Sequence, residues 1–280
     1  RLNLGKLKFY EFVGNFFVGG DSIDFKPILI PKDVDDTDGD GLLEVFCSVN
    51  DSAYLIEQPG PNNFPSEIIY RNEGNGLFAA SVDDTDGDPQ RELLLKDSKD
   101  YYILDGSGYE EQIVLEDVSG DYIGAIAPRV LVDDFDQDGK REIVFGDFDG
   151  DLIVYENEGN TYNATFIDST DLTKSGVYLT SGNFAGGEEK EIFVAVHTSG
   201  LRNGDFEYDA PHWWLRIFRA TADNTFEVIW EDFLYDIDFE QYNAASSGNL
   251  DEDPYDELVF TTYPRTYVID YNVASQQFAP

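Results

Sequence analysis

A nine-residue acidic segment recurs along the chain, and that repetition constrains the fold more than any other feature. Asp36-Thr37-Asp38-Gly39-Asp40-Gly41-Leu42-Leu43-Glu44 returns as Asp84-Thr85-Asp86-Gly87-Asp88-Pro89-Gln90-Arg91-Glu92 and as Asp134-Phe135-Asp136-Gln137-Asp138-Gly139-Lys140-Arg141-Glu142. A worn copy follows at Asn183-Phe184-Ala185-Gly186-Gly187-Glu188-Glu189-Lys190-Glu191, and a better-kept one at Asn249-Leu250-Asp251-Glu252-Asp253-Pro254-Tyr255-Asp256-Glu257. The copies begin at residues 36, 84, 134, 183 and 249, a near-constant period until the last interval. Self-similarity at such a period marks a solenoid, a propeller or an array, not a string of unrelated domains.

Each period reads as short strands. After the final Glu comes a compact apolar run, such as Val45-Phe46-Cys47, Leu93-Leu94-Leu95 or Ile143-Val144-Phe145. A polar turn separates it from a second run (Tyr54-Leu55-Ile56, Leu152-Ile153-Val154), then a third (Ile68-Ile69-Tyr70) and a fourth (Leu77-Phe78-Ala79-Ala80) that enters the next acidic segment. The runs are β-branched, aromatic or leucine-rich and are punctuated by Gly, Asn, Asp and Ser, and no helix-length amphipathic pattern competes with them. Four short strands per period predict an all-β fold, a β-propeller of four-stranded blades. A half-blade over residues 1–25 and blades over about 26–73, 74–122, 123–172, 173–238 and 239–280 make one domain with about five to six blades. The half-blade either completes the last blade of a closed ring or marks a segment of a larger six- or seven-bladed one.

The acidic segments carry the chemistry. Acids at positions one, three and five stand on alternate residues of a tightly turning backbone and can converge. Position seven (Leu42, Gln90, Lys140, Tyr255) has no common side chain, as expected if only its carbonyl is used. A Glu at position nine can add two more oxygens. Such an all-oxygen cage of six or seven ligands suits Ca²⁺ and is too oxygen-rich for Zn²⁺. An EF-hand closes with Glu at position twelve before a helix; here the Glu is at nine and a strand follows.

These five segments at blade spacing resemble the FG-GAP or VCBS-type repeats of integrin-α-like β-propellers, over essentially the whole chain. The resemblance implies that each loop joins the first and second strands of a blade and binds structural Ca²⁺. By that match, Asp36, Asp38, Asp40 and Glu44 are the side-chain ligands of the first loop. Asp84, Asp86, Asp88 and Glu92 serve the second, and Asp134, Asp136, Asp138 and Glu142 the third. Asn249, Asp251, Asp253 and Glu257 serve the fifth. Three to four ions are expected, because Ala185 and Gly187 supply no side-chain oxygen at positions three and five of the fourth loop. Pro89 and Pro254 replace the usual Gly at position six without removing a ligand. The resemblance also suggests cell adhesion.

Composition narrows the partner. With 18 basic against 57 acidic residues the net charge is −39, which argues against nucleic acid, since phosphate binding needs clustered Lys and Arg. No apolar run approaches the roughly 20 residues of a membrane-spanning helix. Cys47 is the single cysteine, so no internal disulfide exists, and its apolar setting reads as a small core residue. The chain begins at Arg1 and has no methionine, as expected of a mature or excised segment. Asp147-Phe148-Asp149-Gly150-Asp151 alternates acids without a closing Glu and reads as a hairpin turn. The longer fourth interval holds an insertion between Val196 and Leu215 that contains both histidines and two of the three tryptophans. Within it Phe206, Tyr208, His212, Trp213 and Trp214 are candidates for stacking on a glycan or anchoring a protein. The other reading is an elongated hairpin with one Trp buried and one lying over a neighbouring blade. No nucleophile elbow, phosphate-cradling loop or His-Glu-x-x-His is present. The expectation is a non-catalytic extracellular binding or adhesion module with a protein or glycan partner. A carbohydrate-active enzyme and a purely structural repeat of a surface protein are the alternatives.

Overall fold

The computed structural model describes residues 5–279 except 14–15, 26–28, 73, 75, 107, 120–129, 160, 171, 173–174, 188, 198–200, 203–204, 207–211, 236–243, 252, 263, 273 and 276. The fold is all-β, a β-propeller organisation of four-stranded antiparallel blades. Among the described residues no helix is long and apolar enough to cross a membrane. The chain divides into two compact units, Arg1–Glu116 and Asp117–Pro280.

The first unit opens with a hairpin, Gly5–Val13 against Phe16–Phe25, which forms a two-stranded sheet of its own. The first blade follows, with strands Leu29–Asp35, Glu44–Val49, Ser52–Glu57 and Glu67–Arg71 in chain order. The second blade is built from Phe78–Asp83, Glu92–Lys96, Tyr101–Asp105 and Glu111–Leu115. The second unit holds three blades. The third blade comprises Leu131–Asp133, Glu142–Gly146, Leu152–Asn157 and Tyr162–Asp168. The fourth comprises Val177–Gly182, Glu191–His197, Trp213–Ala222 and Thr225–Leu234, and the fifth Ala244–Gly248, Glu257–Thr261, Thr266–Asn272 and Gln277–Ala279.

Burial follows strand position. The second strands Glu44–Val49, Glu92–Lys96 and Glu142–Gly146 are buried at every residue, whereas the fourth strand Glu67–Arg71 is mostly exposed. A strand covered on both faces reads as a continuous apolar run, which is why these segments do not alternate. Between the first and second blades Phe46, Leu55, Val82, Leu93 and Leu95 form one core cluster. Phe135, Val144, Val154, Leu179, Val194 and Phe218 form another between the third and fourth, and Phe193, Trp213, Leu215 and Phe260 join the fourth to the fifth. Gly146 marks how closely the third and fourth blades approach, since a Cβ there would stand 2.4 Å from that of Val177. Cys47 is fully buried in the first blade, and burial pushes its thiol up to about 12.

Candidate metal centres

In every blade the acidic segment is the turn between the first and second strands, and the ladder dictates its shape. The pairs Asp35–Glu44 and Asp133–Glu142 close the first ladder in their blades, so eight residues must reverse the chain in a tight curl. Positive φ at Gly39 (76°) and Gly41 (88°) makes that curl in the first loop, and Gln137 (62°) and Gly139 (94°) make it in the third. Pro cannot adopt positive φ, so the second loop turns with Gly87 alone (φ 88°) ahead of Pro89.

The loop's own amides orient its carboxylates. In the first loop Asp38 Oδ1 accepts the Asp40 amide (3.2 Å), Asp40 Oδ1 the Leu42 amide (2.8 Å), and Asp36 Oδ2 the Gly41 amide (3.0 Å). The third loop repeats all three bonds, through Asp136 to Asp138 (3.2 Å), Asp138 to Lys140 (2.8 Å) and Asp134 to Gly139 (3.0 Å). The second loop keeps the Asp86–Asp88 and Asp88–Gln90 bonds at 3.0 and 2.7 Å, and the fifth keeps Asp251–Asp253 and Asp253–Tyr255 at 3.0 and 2.8 Å. Each of these aspartates thus spends one oxygen on the turn; in the third loop the other oxygen is engaged too, Asp136 Oδ2 by the Asn224 amide (2.6 Å) and Asp138 Oδ2 by Lys140 Nζ (3.3 Å).

The closing glutamate is the anchor. Glu44, Glu92, Glu142, Glu191 and Glu257 are all 3% exposed or less. In each blade Oε2 accepts the amide of position two: Thr37 (2.6 Å), Thr85 (2.6 Å), Phe135 (2.6 Å), Phe184 (2.7 Å) and Leu250. The Thr37 and Thr85 hydroxyls add a second bond at 2.8 Å. The other oxygen divides the blades into two kinds. Oε1 of Glu44, Glu92, Glu142 and Glu257 is buried without a hydrogen-bond partner, as are Asp36 Oδ1 and Asp134 Oδ1. Glu191 Oε1 instead accepts from the Arg219 guanidinium, at 2.9 Å from Nε and also from Nη2.

Asp134, Asp136, Asp138 and Glu142 bring ligand oxygens within 4.8 Å of one another, as do Asp36, Asp38 and Asp40, then Asp40, Glu44 and Glu57, and Asp84, Asp86 and Glu92. These clusters could hold a metal ion. Asp88 stands beside its own cluster through the Asp86 bond. In the fifth loop Asn249 turns its Nδ2 to the Asp253 carbonyl. The position-seven side chains are occupied elsewhere: Gln90 donates to the Gly106 carbonyl, Lys140 binds Glu156, and the Tyr255 ring packs on Tyr271. Leu42 has no polar side-chain atom, and the backbone carbonyl is the one oxygen donor common to all four positions.

An unpartnered buried carboxylate oxygen is costly. Burial raises the proton affinity of Glu92 to about 7, against the Thr85 bonds, which lower it. It raises Glu142 to about 8, with Asp136 and Asp134 adding repulsion and the Phe135 bond opposing. Glu44 shifts upward for the same first reason. The donor chemistry is entirely oxygen, and in the first three loops the closing glutamate shares its cluster with aspartates of its own loop; the residues fit a hard divalent cation.

Beyond the loops, Glu57 was the missed member of a cluster. Its signal was present in the sequence as an acid ending the third strand, but only pairing reveals its neighbour. The 147–151 segment is a buried, hydrogen-bonded turn: Asp147 Oδ1 accepts the Asp151 amide (2.8 Å), Oδ2 accepts the Ser119 hydroxyl, and the Thr170 hydroxyl bonds the Asp149 carbonyl (2.8 Å).

The insertion places its aromatics differently from a stacking platform. Trp213 is fully buried among Tyr178, His197 and Phe260, with Nε1 donating to Thr262 Oγ1 (2.9 Å), so no ring face is left for a ligand. His212 is buried beside it. Alternation along the strand turns Trp214 to the other face, where it packs against the core of the third and fourth blades, stacks on Phe233 (5.9 Å) and lies 4.0 Å from the Arg216 guanidinium. The Phe206 backbone belongs to a short ladder, Leu201–Arg202 with Asp205–Phe206; its side chain and the whole of Tyr208 lie outside the described residues.

No protein-family model and no curated protein matches the sequence. Solved structures do. The β-propeller BBS1N, crystallised in complex with ARL6DN and soaked with mercury, is similar with a TM-score of 0.54 and 13% identity, over 94% of this chain and 71% of that one. The lead-soaked crystal gives 0.53 over the same shares. The V. cholerae biofilm matrix protein Bap1 is similar at a TM-score of 0.46 and 19% identity over 75% of this chain, which spans only 29% of Bap1's length. At these identities the likeness concerns the fold.

Proposed function

We propose that this chain is a non-catalytic, extracellular binding or adhesion module whose blades are stabilised by structural Ca²⁺ in loops 36–44, 84–92, 134–142 and 249–257. One observation carries the reading. In four blades a glutamate buried at the base of the acidic turn keeps one oxygen without a hydrogen-bond partner, and in the first three it shares a carboxylate cluster with aspartates of its own loop. A bound Ca²⁺ would supply the positive charge and the six to eight oxygen bonds that such a set lacks. Asp36, Asp38, Asp40 and Glu44, with the Leu42 carbonyl, would hold it in the first loop. The corresponding residues would do so in the second and third. In the fifth these are Asn249, Asp251, Asp253 and Glu257. Sites on exposed turns of this kind suit the high calcium of extracellular surroundings, where even weak sites fill. With the turns locked, the remaining loops are left to meet a protein or glycan.

Two experiments test the parts separately. Elemental analysis after dialysis against calcium reads the ion count, expected at three to four per chain; a count of zero rejects the metal reading. Incubation with a panel of glycans and polysaccharides, read both for binding and for product, tests the rest. Binding without product supports the module. New reducing ends or unsaturated products would replace it with a carbohydrate-active enzyme.

A further inference from the structure

The third strand of each blade contributes a residue that faces the closing glutamate, and its identity follows a rule. Across the ladder Glu44 pairs with Glu57 and Glu142 with Glu156. One step beyond the paired Leu93–Leu104, Asp105 stands opposite Glu92; one step beyond Leu258–Ile269, Asp270 stands opposite Glu257. All four blades with a partnerless Oε1 therefore place an acid against an acid, the cross-strand arrangement that ordinarily destabilises a sheet. The fourth blade differs. One step beyond Ile192–Phe218, the residue opposite Glu191 is Arg219.

The geometry matches the pattern. Glu57 belongs to a cluster with Asp40 and Glu44 whose ligand oxygens lie within 4.8 Å of one another. Asp270 Oδ1 is buried without a partner, like Glu257 Oε1 beside it in register. Glu156 is fully buried and is held by Lys140 (2.6 Å) and Asn224 (2.7 Å), so in the third blade the facing acid has a cation of its own. In the fourth blade Arg219 reaches the same Oε1 atom that is orphaned elsewhere, and its Nη2 also donates to the Gly186 carbonyl inside the loop (3.1 Å). That loop supplies neither Ala185 nor Gly187 with a side-chain oxygen, and its Glu191 is as buried as the others.

We infer that the residue facing the closing glutamate decides how each blade neutralises that buried charge: by a divalent cation where the residue is an acid, and by the tethered guanidinium of Arg219 in the fourth blade, which needs no metal. The acid half of this rule rests on the calcium reading above. The Arg219 half does not, because its contacts are made within the chain.

Thermal melts of the 280-residue chain in calcium and in excess chelator test both halves, alongside calcium titration. Arg219→Gln leaves Glu191 buried and unpaired. It is expected to lower the melting temperature by roughly 10 °C, equally in calcium and in chelator, with the bound-ion count unchanged. Adding Glu191→Gln to Arg219→Gln should recover much of the loss, since a neutral pair no longer strands a charge. Glu57→Gln should weaken calcium binding at one site about tenfold and leave the chelated melt unchanged or slightly higher. An Arg219→Gln drop confined to calcium, an unchanged melt, or Glu57→Gln without effect on calcium affinity would overturn the rule. Should Arg219→Gln fail to fold, the Arg219→Gln/Glu191→Gln pair and Glu57→Gln still decide it. A wild-type melt indifferent to chelator would remove the calcium reading and the acid half together, while a metal-independent Arg219→Gln drop would leave the guanidinium half standing.

Discussion

The third and fourth acidic loops lie in the same unit, start from the same strand geometry and end on the same buried glutamate. Glu142 and Glu191 accept the amides of Phe135 and Phe184 at 2.6 and 2.7 Å, and both phenylalanines are core residues. Around Glu142 stand Asp134, Asp136 and Asp138; around Glu191 stand Ala185, Gly187 and the Arg219 guanidinium. The glutamate is thus the constant and the counter-charge the variable. What the blade requires is a carboxylate to tie its first turn to its second strand. The turn amides satisfy one oxygen; the other meets the Arg219 guanidinium in the fourth blade and has no hydrogen-bond partner in the third.

Chelation is the strongest way to sharpen that contrast. A ligand present at about 100 times its Kd stabilises by about 2.7 kcal/mol per site. For a chain of this size each kcal/mol moves the melting temperature by roughly 2–4 °C. Removing three or four ions should therefore lower the calorimetric midpoint by on the order of 20 °C; a superimposable scan in chelator would break the comparison outright.

Acidity should separate the metal-free from the metal-loaded protein next. Glu92 and Glu142 have proton affinities raised to about 7 and about 8 in the fold, above the ordinary 4.5. Raised carboxylates favour the folded state fully below about pH 4.5, and that contribution is lost as pH climbs through 7 to 8. In chelator the melting temperature should fall by several degrees between pH 5 and 8. In saturating calcium that slope should vanish, because the cation replaces the proton. Equal slopes in both conditions would contradict the assignment.

Grafting is a subtler probe. Ala185→Asp restores one acid to the fourth loop but leaves Arg219 on Glu191, so the ion count measured at equilibrium should not rise. A gain of one ion would show that the guanidinium is not what keeps metal out. The smallest effect concerns position two. Thr37→Val removes the hydroxyl that donates to Glu44 and accepts from Tyr109, and should cost about 2 kcal/mol, as a shift in denaturation midpoint without loss of an ion. The third loop already does without that hydroxyl, having Phe135 there.

Much of this was legible in the residues. The strand runs, the turn between first and second strands and the converging acids at positions one, three and five all recur in register, and repetition exposes a local pattern that a single copy would hide. Position nine was legible as an acid but not in its double duty, because a hydrogen bond back to position two depends on how the turn closes. Trp213 and Trp214 were ambiguous for a related reason: adjacent residues on a strand face opposite ways, and which face is core depends on the blades either side.

Local order along the chain was enough to define the blades and the ligand-bearing turns, since strands, tight turns and alternating acids are properties of a few consecutive residues. The partner of each buried glutamate was not. Glu57 stands 13 residues beyond Glu44, yet Arg219 stands 28 residues beyond Glu191, because the fourth blade's insertion lengthens the path between paired strands. Only the ladder brings each pair face to face. Whether a blade holds two acids awaiting a cation or a finished ion pair is a property of strand register, which only folding establishes.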